Sequence, residues 1–224
     1  MQIKYLFNTF LFVLCIGSVS AQNRIEVTPT YRFTDGIYLT FEEFQSNQPA
    51  LSWSQFTRRS VVNPQTLIAQ VDFIRYKNSQ ESLDLDKIWG ICIDGLPFIR
   101  IPKDSIHKQL PTFAGLRLAG NVCYFSYENR VNKEYEFAAY NPLNGEPFRK
   151  ATVSRSVSVF VEKIFSFSDG KIINFDRSSL RFKMLDDPEL SKVLDQLRPV
   201  EDEYKEKLFR LLMSYNRRHP VYFR

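Results

Sequence analysis

The chain has few of the residues that build metal sites: two histidines and three cysteines among 224 residues. Cys15 lies in an apolar N-terminal segment, so the rest of the chain offers His107, His219, Cys92 and Cys123. A protein zinc site takes about three or four Cys, His or carboxylate ligands at suitable spacing. Because neither C-x-x-C nor H-E-x-x-H occurs, the sequence predicts no protein-only zinc site.

Phosphate loops and the serine elbow are also missing. The eight glycines form neither G-x-x-x-x-G-K nor G-x-G-x-x-G, and G-x-S-x-G does not occur. His107 follows Ser105 by two residues, but a catalytic triad is assembled in space and not by adjacency. "LDLD" at 83–86 and the pair Asp186-Asp187 lack the glycine and closing glutamate of an EF-hand loop. The sequence therefore predicts no catalytic, cofactor-binding or metal-binding residue.

After the N-terminus the chain has no second long apolar run. Residues 1–21, MQIKYLFNTFLFVLCIGSVSA, carry one early cation, an apolar run from Leu6 to Ile16 and small residues at the end. This pattern is typical of a secretory signal peptide cleaved after Ala21. The apolar run is shorter than the roughly 20 residues that span a bilayer. We therefore predict an exported mature chain, periplasmic or secreted, with no transmembrane segment.

Charge of one sign is not concentrated anywhere. The formal net charge is +5, and the densest basic cluster is "RRH" at 217–219. Specific nucleic-acid binders concentrate positive charge on one face. Because the charge is dispersed and export is predicted, we expect no nucleic-acid partner.

Short β-like runs, in contrast, are frequent. Five dipeptides that favour tight hairpins separate them: Asp35-Gly36, Asp94-Gly95, Gly120-Asn121, Asn144-Gly145 and Asp169-Gly170. In "KIWGICIDGLPFIRI" a two-residue loop at 94–95 sets Ile91 opposite Phe98. Such hairpins predict an antiparallel β-meander or a barrel-like sheet.

The same hairpin contains a proline. Pro97 falls opposite Cys92, and its missing N–H points away from that partner. This predicts that strand 96–101 is a sheet edge. An uncovered edge can pair with another chain, which keeps an envelope assembly subunit among the functional hypotheses.

The stretch "DGIYLTFEEFQSN" contains an acidic pair between two phenylalanines. Asp35-Gly36 is predicted to close a hairpin, and Thr40 with Glu43 three residues later forms a capping box. A short helix then ends before Pro49. Glu42 and Glu43 are therefore predicted to serve a helix start and not catalysis.

Two amphipathic helices are predicted after residue 186. The first has Asp187 as N-cap and Pro188 at its first position. Its apolar face consists of Leu190, Val193, Leu194 and Leu197. The second opens with acids and closes with "RRH", which suits the helix dipole and assigns His219 to the helix end. Its apolar stripe consists of Val200, Tyr204, Leu208, Leu211, Leu212 and Tyr215.

Strands followed by helices predict an α+β fold. At this length we expect residues 22–224 to form a single domain, β-rich over 22–185 and helical over 186–220.

Aromatic residues are abundant, with 20 Phe, 11 Tyr and 2 Trp. Most occupy inward strand positions, where they fill a core. "VCYFSYEN" at 122–129 differs because Tyr124 and Phe125 point to opposite faces, so either both faces are covered or one presents aromatics to solvent. Trp89 is a third candidate, and the Arg100 guanidinium is expected to lie on its ring. Trp89, Tyr124 and Phe125 are thus the candidate ligand-binding residues.

Cys92 and Cys123 are the cysteines that remain after the signal peptide, in a compartment that favours disulfides. In a meander two strands separate theirs, which places them about 14 Å apart. A disulfide needs Cα atoms within about 7 Å. We therefore disfavour a Cys92–Cys123 disulfide and predict two buried thiols. A sheet that folds back on itself would reverse this.

Four segments carry a family resemblance: "DGIYLTFEEFQSNQP", "KIWGICIDG", "DDPELSKVL" and "SYNRRHP". In this order behind a signal peptide, they resemble a family of uncharacterised exported proteins of Gram-negative bacteria. The resemblance implies an envelope or secreted location and supplies no activity.

The hypothesis favoured by the sequence is a non-catalytic binding or accessory module with an unknown protein or glycan partner in the envelope. The alternatives are a glycan- or peptide-directed hydrolase that uses a carboxylate pair, and the assembly subunit. A pocket lined by two or more carboxylates favours the hydrolase, and an apolar groove or cavity favours the binding module.

Overall fold

The computed structural model describes residues 25–79, 81–102, 110–140, 142–143, 145, 147–199 and 203–223. The predicted signal peptide, Ser105 and His107 lie outside the described residues. The described strands are β1 (Gly36–Tyr38), β2 (Phe56–Asn63), β3 (Ile68–Tyr76), β4 (Gly90–Ile93), β5 (Leu96–Arg100), β6 (Thr112–Leu118), β7 (Val122–Tyr140), β8 (Pro147–Ser166) and β9 (Ile173–Asn174). The described α-helices are α1 (Phe41–Gln45), α2 (Arg177–Lys183), α3 (Pro188–Gln196) and α4 (Tyr204–Arg218).

The strands form an antiparallel sheet in the order β1-β4-β5-β6-β7-β8-β9, and β3 joins β2 to β6. The sheet curls into a half-barrel, and with the helices it makes the fold α+β, as predicted. No helix in the described part of the chain has the length and hydropathy to cross a membrane.

The hairpin at 94–95 is confirmed. Ile91 pairs with Phe98 and Cys92 with Pro97. The prediction that this strand is a sheet edge is wrong, because β5 also pairs with β6 from Phe98 to Arg100. Pro97 lies just before the first of these pairs, so its missing N–H removes no described ladder bond.

The predicted hairpin at Asp35-Gly36 is also wrong. Gly36 begins β1, which pairs with β4 and not with the preceding residues. The segment before β1 instead docks on the 94–95 turn: Phe33 N donates to Gly95 O at 3.0 Å, and Gly95 N donates to Asp35 Oδ1 at 2.8 Å. Contacts distant in sequence have replaced the local turn.

The predicted capping box is present at α1. Glu43 N donates to Thr40 Oγ1 at 3.3 Å, and Leu39 N donates to Glu43 Oε2 at 2.7 Å. The glutamate thus reaches the backbone N–H one residue before the N-cap. This cap fixes α1 so that Phe44 is buried under the sheet.

The sheet has apolar clusters on both faces. Its concave face packs aromatic and aliphatic side chains of β1, β4, β5, β6, β7 and β8 against α1. The outer face of β6, β7 and β8 packs against α2, α3 and α4. The outer face of β1, β4 and β5 packs with β2 and β3. The concave cluster is the one that positions the candidate site.

The helical region differs in detail from the prediction. Helix α2 lies where the sequence predicted a β-rich region. Val193 was placed on the buried face of α3, but it is exposed, while Leu190 and Leu194 are buried. Helix α4 buries Leu208, Leu211, Leu212 and Tyr215, as predicted. Val200, from the same predicted stripe, lies outside the described residues.

The start of α3 and the end of α4 are joined by charge. Asp187 caps α3 by accepting from Leu190 N at 3.0 Å, and it also contacts Arg218 Nη1 and His219 Nε2 at 3.3 Å. The Leu190 N–H is the largest cause that lowers the pKa of Asp187, and His219 and Arg218 act in the same direction against desolvation. His219 therefore lies at the helix end and supports the packing of the two helices.

Candidate functional site

A cleft of about 590 Å³ opens on the concave side of the sheet. Its apolar wall includes Ile88, Trp89, Ile99, Ile101, Phe125 and Tyr127. Most of these side chains are buried, so the wall is part of the core and is held by its packing.

The strands explain how this wall is built. Phe125 and Tyr127 are two residues apart on β7 and therefore point to the same face. Their rings are nearly parallel, with centroids 6.4 Å apart. Ile99 and Ile101, at the end of β5, have the same spacing. The end of β5 and the strand β7, with β6 between them, thus contribute alternating apolar side chains to one surface.

Trp89 joins the cleft to the aromatic core. Its ring centroid lies 5.0 Å from that of Phe44 and 5.5 Å from that of Phe41. The expected stacking of Arg100 on Trp89 is replaced by an ion pair, in which Arg100 Nη2 lies 2.8 Å from Asp86 Oδ1. Arg100 also donates to the Asp86 carbonyl. The 3₁₀ turn Leu85–Lys87 presents both acceptors to the guanidinium, and a charge-assisted pair is stronger than a cation–π contact.

Cations dominate the rim of the cleft. Lys87, Arg100 and Lys163 line it, and Asp86 is the one carboxylate among the described lining residues. Lys163 shares the inward face of β8 with Phe165 and donates from Nζ to Asn174 Oδ1 at 2.6 Å. Because the amide of Asn174 is neutral, the charge of Lys163 is not compensated by this contact.

The candidate aromatic residues are separated. Trp89 and Phe125 line the cleft, whereas Tyr124 lies on the other face of β7 under the helices. The Tyr124 ring packs against Phe175 and Phe209, with centroids 5.0 and 5.1 Å away.

The Tyr124 hydroxyl is engaged as well. It donates to Glu162 Oε1 at 2.9 Å. The pKa of Tyr124 is raised mainly by burial and secondarily by this carboxylate. The uncertainty about the two faces of "VCYFSYEN" is resolved: both are covered at Tyr124 and Phe125.

Lys163 was not among the site residues predicted from the sequence. The available signal was its position in "VSVFVEKIFSF", where it is the single charge among inward-facing apolar residues of a strand. Such a lysine marks a place where the apolar face reaches solvent or a ligand. Lys163 is the cross-strand partner of Phe125 in the β7–β8 hairpin, whereas its proximity to Trp89 depends on the curl of the sheet.

Cys92 and Cys123 are buried free thiols in the structure, and β5 and β6 lie between their strands. Cys92 Sγ donates to Phe33 O at 3.7 Å, and Cys123 Sγ donates to Gly120 O at 3.5 Å. Burial raises the pKa of both thiols, that of Cys123 to about 12. Because the thiolate is the nucleophile, neither residue is suited to nucleophilic chemistry near neutral pH.

We predict that iodoacetamide will label neither cysteine in the native chain expressed from Gln22, because the thiols are buried and protonated. In denaturant without reductant, the mass should increase by two adducts. A mass unchanged in denaturant, with two adducts appearing after reduction, would mean that Cys92 and Cys123 form a disulfide.

Across the described residues, no group of three or more His, Cys, Asp or Glu side chains has an arrangement that could hold a metal ion. Comparisons of the chain with protein-family models, curated proteins and solved structures found no match.

Proposed function

We propose that the protein is an exported, non-catalytic binding module of the cell envelope. Its ligand is an amphiphile with an apolar chain or ring and an anionic group. The observation that carries this proposal is the pairing of an apolar wall with a cationic rim in one cleft. The signal-like segment at residues 1–21 supports the exported location.

The size and lining of the cleft support a small-molecule ligand. Its volume of about 590 Å³ falls within the range of about 300–1,000 Å³ that is typical of ligand pockets. Such pockets are mostly apolar, with a few polar groups that orient the ligand. Here the partly exposed ring of Trp89 offers surface to the apolar part of the ligand, and the buried ring of Phe125 lies behind it in the wall.

The charges at the rim determine which charged group the ligand carries. Arg100 is neutralised by Asp86 at 2.8 Å, and Lys87 lies 3.6 Å from Asp84. Lys163 has the neutral Asn174 as its described partner. An anionic group at the rim gains a charge-assisted hydrogen bond from Lys163. Lys163 is therefore the residue proposed to recognise the anionic group of the ligand.

The same lining favours binding over hydrolysis. A glycosidase of the usual kind uses two carboxyl groups about 5–9.5 Å apart. The described lining contains the single carboxylate of Asp86, which is already paired with Arg100. The assembly-subunit hypothesis loses its main support, because β6 covers the strand that was predicted to be an edge.

Isothermal titration calorimetry with dodecanoate below its critical micelle concentration tests the proposal. We expect saturable binding to the native chain, weakened about tenfold or more in Lys163→Met because a hydrogen bond to a charged group is lost. Dodecanol, which has no charge, should bind both proteins equally.

The matched control is Lys192→Met, which removes a lysine from the exposed side of α3. It should leave the dodecanoate affinity unchanged. No saturable binding of either probe, or equal dodecanoate affinity in the native protein and Lys163→Met, would refute the proposed ligand class.

A further inference from the structure

The β7–β8 hairpin extends beyond the rest of the described sheet. Pairing of β6 with β7 reaches Phe125, and pairing of β9 with β8 is at Lys163 and Ile164. Farther out, residues 129–137 pair in continuous register with residues 151–159. At about 3.3 Å per residue this stretch is about 26 Å long. We call these two stretches the distal ribbon.

The two faces of the distal ribbon differ in chemistry, because successive pairs alternate between faces. The face that we call the cationic face consists of Asn129, Val131, Lys133, Tyr135 and Phe137 with Ala151, Val153, Arg155, Val157 and Val159. The opposite face consists of Arg130, Asn132, Glu134 and Glu136 with Thr152, Ser154, Ser156 and Ser158. The first face is thus mostly apolar with two cations and no acid, and the second is polar.

The apolar side chains of the cationic face are accessible. Tyr135, Phe137 and Val153 are exposed, although one apolar face of an antiparallel sheet is normally packed on other parts of the protein. An accessible apolar surface of this kind marks an interaction site.

The structure pairs neither cation of this face with a carboxylate of the described residues. Lys133 and Arg155 are directly opposite each other, an arrangement that destabilises a strand pair when like charges meet. The Arg155 guanidinium lies 5.6 Å from the centre of the Phe137 ring, so charge and aromatic surface form one patch. An anion placed over the pair would remove the repulsion.

The tip of the hairpin continues the apolar character. Tyr140 is exposed, and Leu143 is 95% exposed. An exposed aliphatic side chain of this kind fits the apolar layer of a lipid interface. Tyrosine is enriched at membrane–water interfaces, where its ring is amphipathic.

A second copy of the chain is a poorer partner for this face. A symmetric contact would bring together four cations, two from each copy, on surfaces without an acid. Burial of charges without opposite partners is strongly unfavourable. An anionic lipid surface instead supplies phosphates next to an apolar layer, which matches the patch in both respects.

We propose that the distal ribbon is a docking arm for an anionic lipid bilayer. It lies with its cationic face on the membrane. Lys133 and Arg155 bind lipid phosphates, while Tyr135, Phe137, Tyr140 and Leu143 enter the interface. This proposal is independent of the ligand of the cleft, because it uses none of the residues that line it.

Vesicle co-flotation of the chain expressed from Gln22 tests the docking arm. We expect binding to phosphatidylcholine vesicles that contain phosphatidylglycerol, little binding to phosphatidylcholine alone, and release as salt rises. The double variant Lys133→Ser/Arg155→Ser should bind about thirtyfold more weakly, since each cation near an anionic membrane contributes about a fivefold factor.

Two further variants separate the sources of affinity. Lys192→Ser/Arg198→Ser removes the same charge from exposed positions on the body and should change binding less than twofold. Tyr135→Ser/Phe137→Ser should weaken binding while leaving its salt dependence. Thermal melts close to those of the native chain would show that the variants fold.

Each remaining outcome refutes the lipid arm. Equal binding to neutral and anionic vesicles, or equal losses in the ribbon and body charge variants, would mean that the cationic face does not read lipid charge. Absence of vesicle binding with concentration-dependent dimerisation in sedimentation would assign the face to a second copy. Binding to an acidic protein such as a polyglutamate carrier, without vesicle binding, would assign it to an acidic partner.

Discussion

Phe44→Ala is expected to lower the free energy of unfolding by about 3–5 kcal/mol, as do large truncations of buried aromatic side chains. Phe44 is 0% exposed and projects from α1 into the concave cluster. Its ring is stacked on Phe33 at 4.9 Å and lies within 5.7 Å of the rings of Trp89 and Phe167, measured between centroids. The short helix α1 cannot shift far to fill the cavity, because the capping box holds its start.

Urea unfolding followed by circular dichroism measures this loss. Phe182→Ala is the matched control, because the same atoms are removed from a side chain that is 67% exposed. We expect the control to cost less than about 0.5 kcal/mol. Similar small losses in both variants would mean that α1 is not docked on the sheet.

The helix that carries Phe44 was predicted from the sequence because the determinants of its start are local. Thr40 and Glu43 define the start of α1 within four residues, and the Asp94-Gly95 turn defines the β4–β5 hairpin in the same way. Where a cap or a turn is determined by a few neighbouring residues, the sequence predicts both the element and its register.

The predictions that were wrong concern places where contacts distant in sequence determine the strand pairing. Asp35-Gly36 has the composition of a hairpin turn, but the Asp35 side chain bonds the 94–95 turn and β1 pairs with β4. The same holds for β5, whose second neighbour β6 follows only after a connection that no local pattern describes. Turn propensity is weaker than the sum of such long-range pairings.

The candidate site likewise combines features that the sequence predicted with features that depend on contacts distant in sequence. Trp89 and Phe125 could be selected individually, but their meeting at one cleft depends on the curl of the sheet. Arg100 was assigned to Trp89 because the hairpin register puts them together. Asp86 competes with Trp89 for Arg100 because the 3₁₀ turn Leu85–Lys87 brings this carboxylate next to β5.

Leu194→Ala should destabilise the protein by about 2–5 kcal/mol, while Val193→Ala, one residue earlier, should cost less than about 1 kcal/mol. Both residues were predicted on the apolar face of α3. In the structure Leu194 is 0% exposed and Val193 is 45% exposed. Alanine also favours a helix more than valine, which offsets part of the small loss at Val193.

This pair of variants tests the packing of α3 with little dependence on the unfolded state, because the two changes are adjacent and both end in alanine. Leu194 belongs to the cluster between the sheet and the helices, with Leu190 and Leu212. Truncation of Leu194 leaves a cavity, which costs stability because the surrounding strands β7 and β8 and helix α4 relax into it only in part. If urea melts gave equal losses, or a larger loss for Val193→Ala, α3 would have to be rotated from the orientation described here.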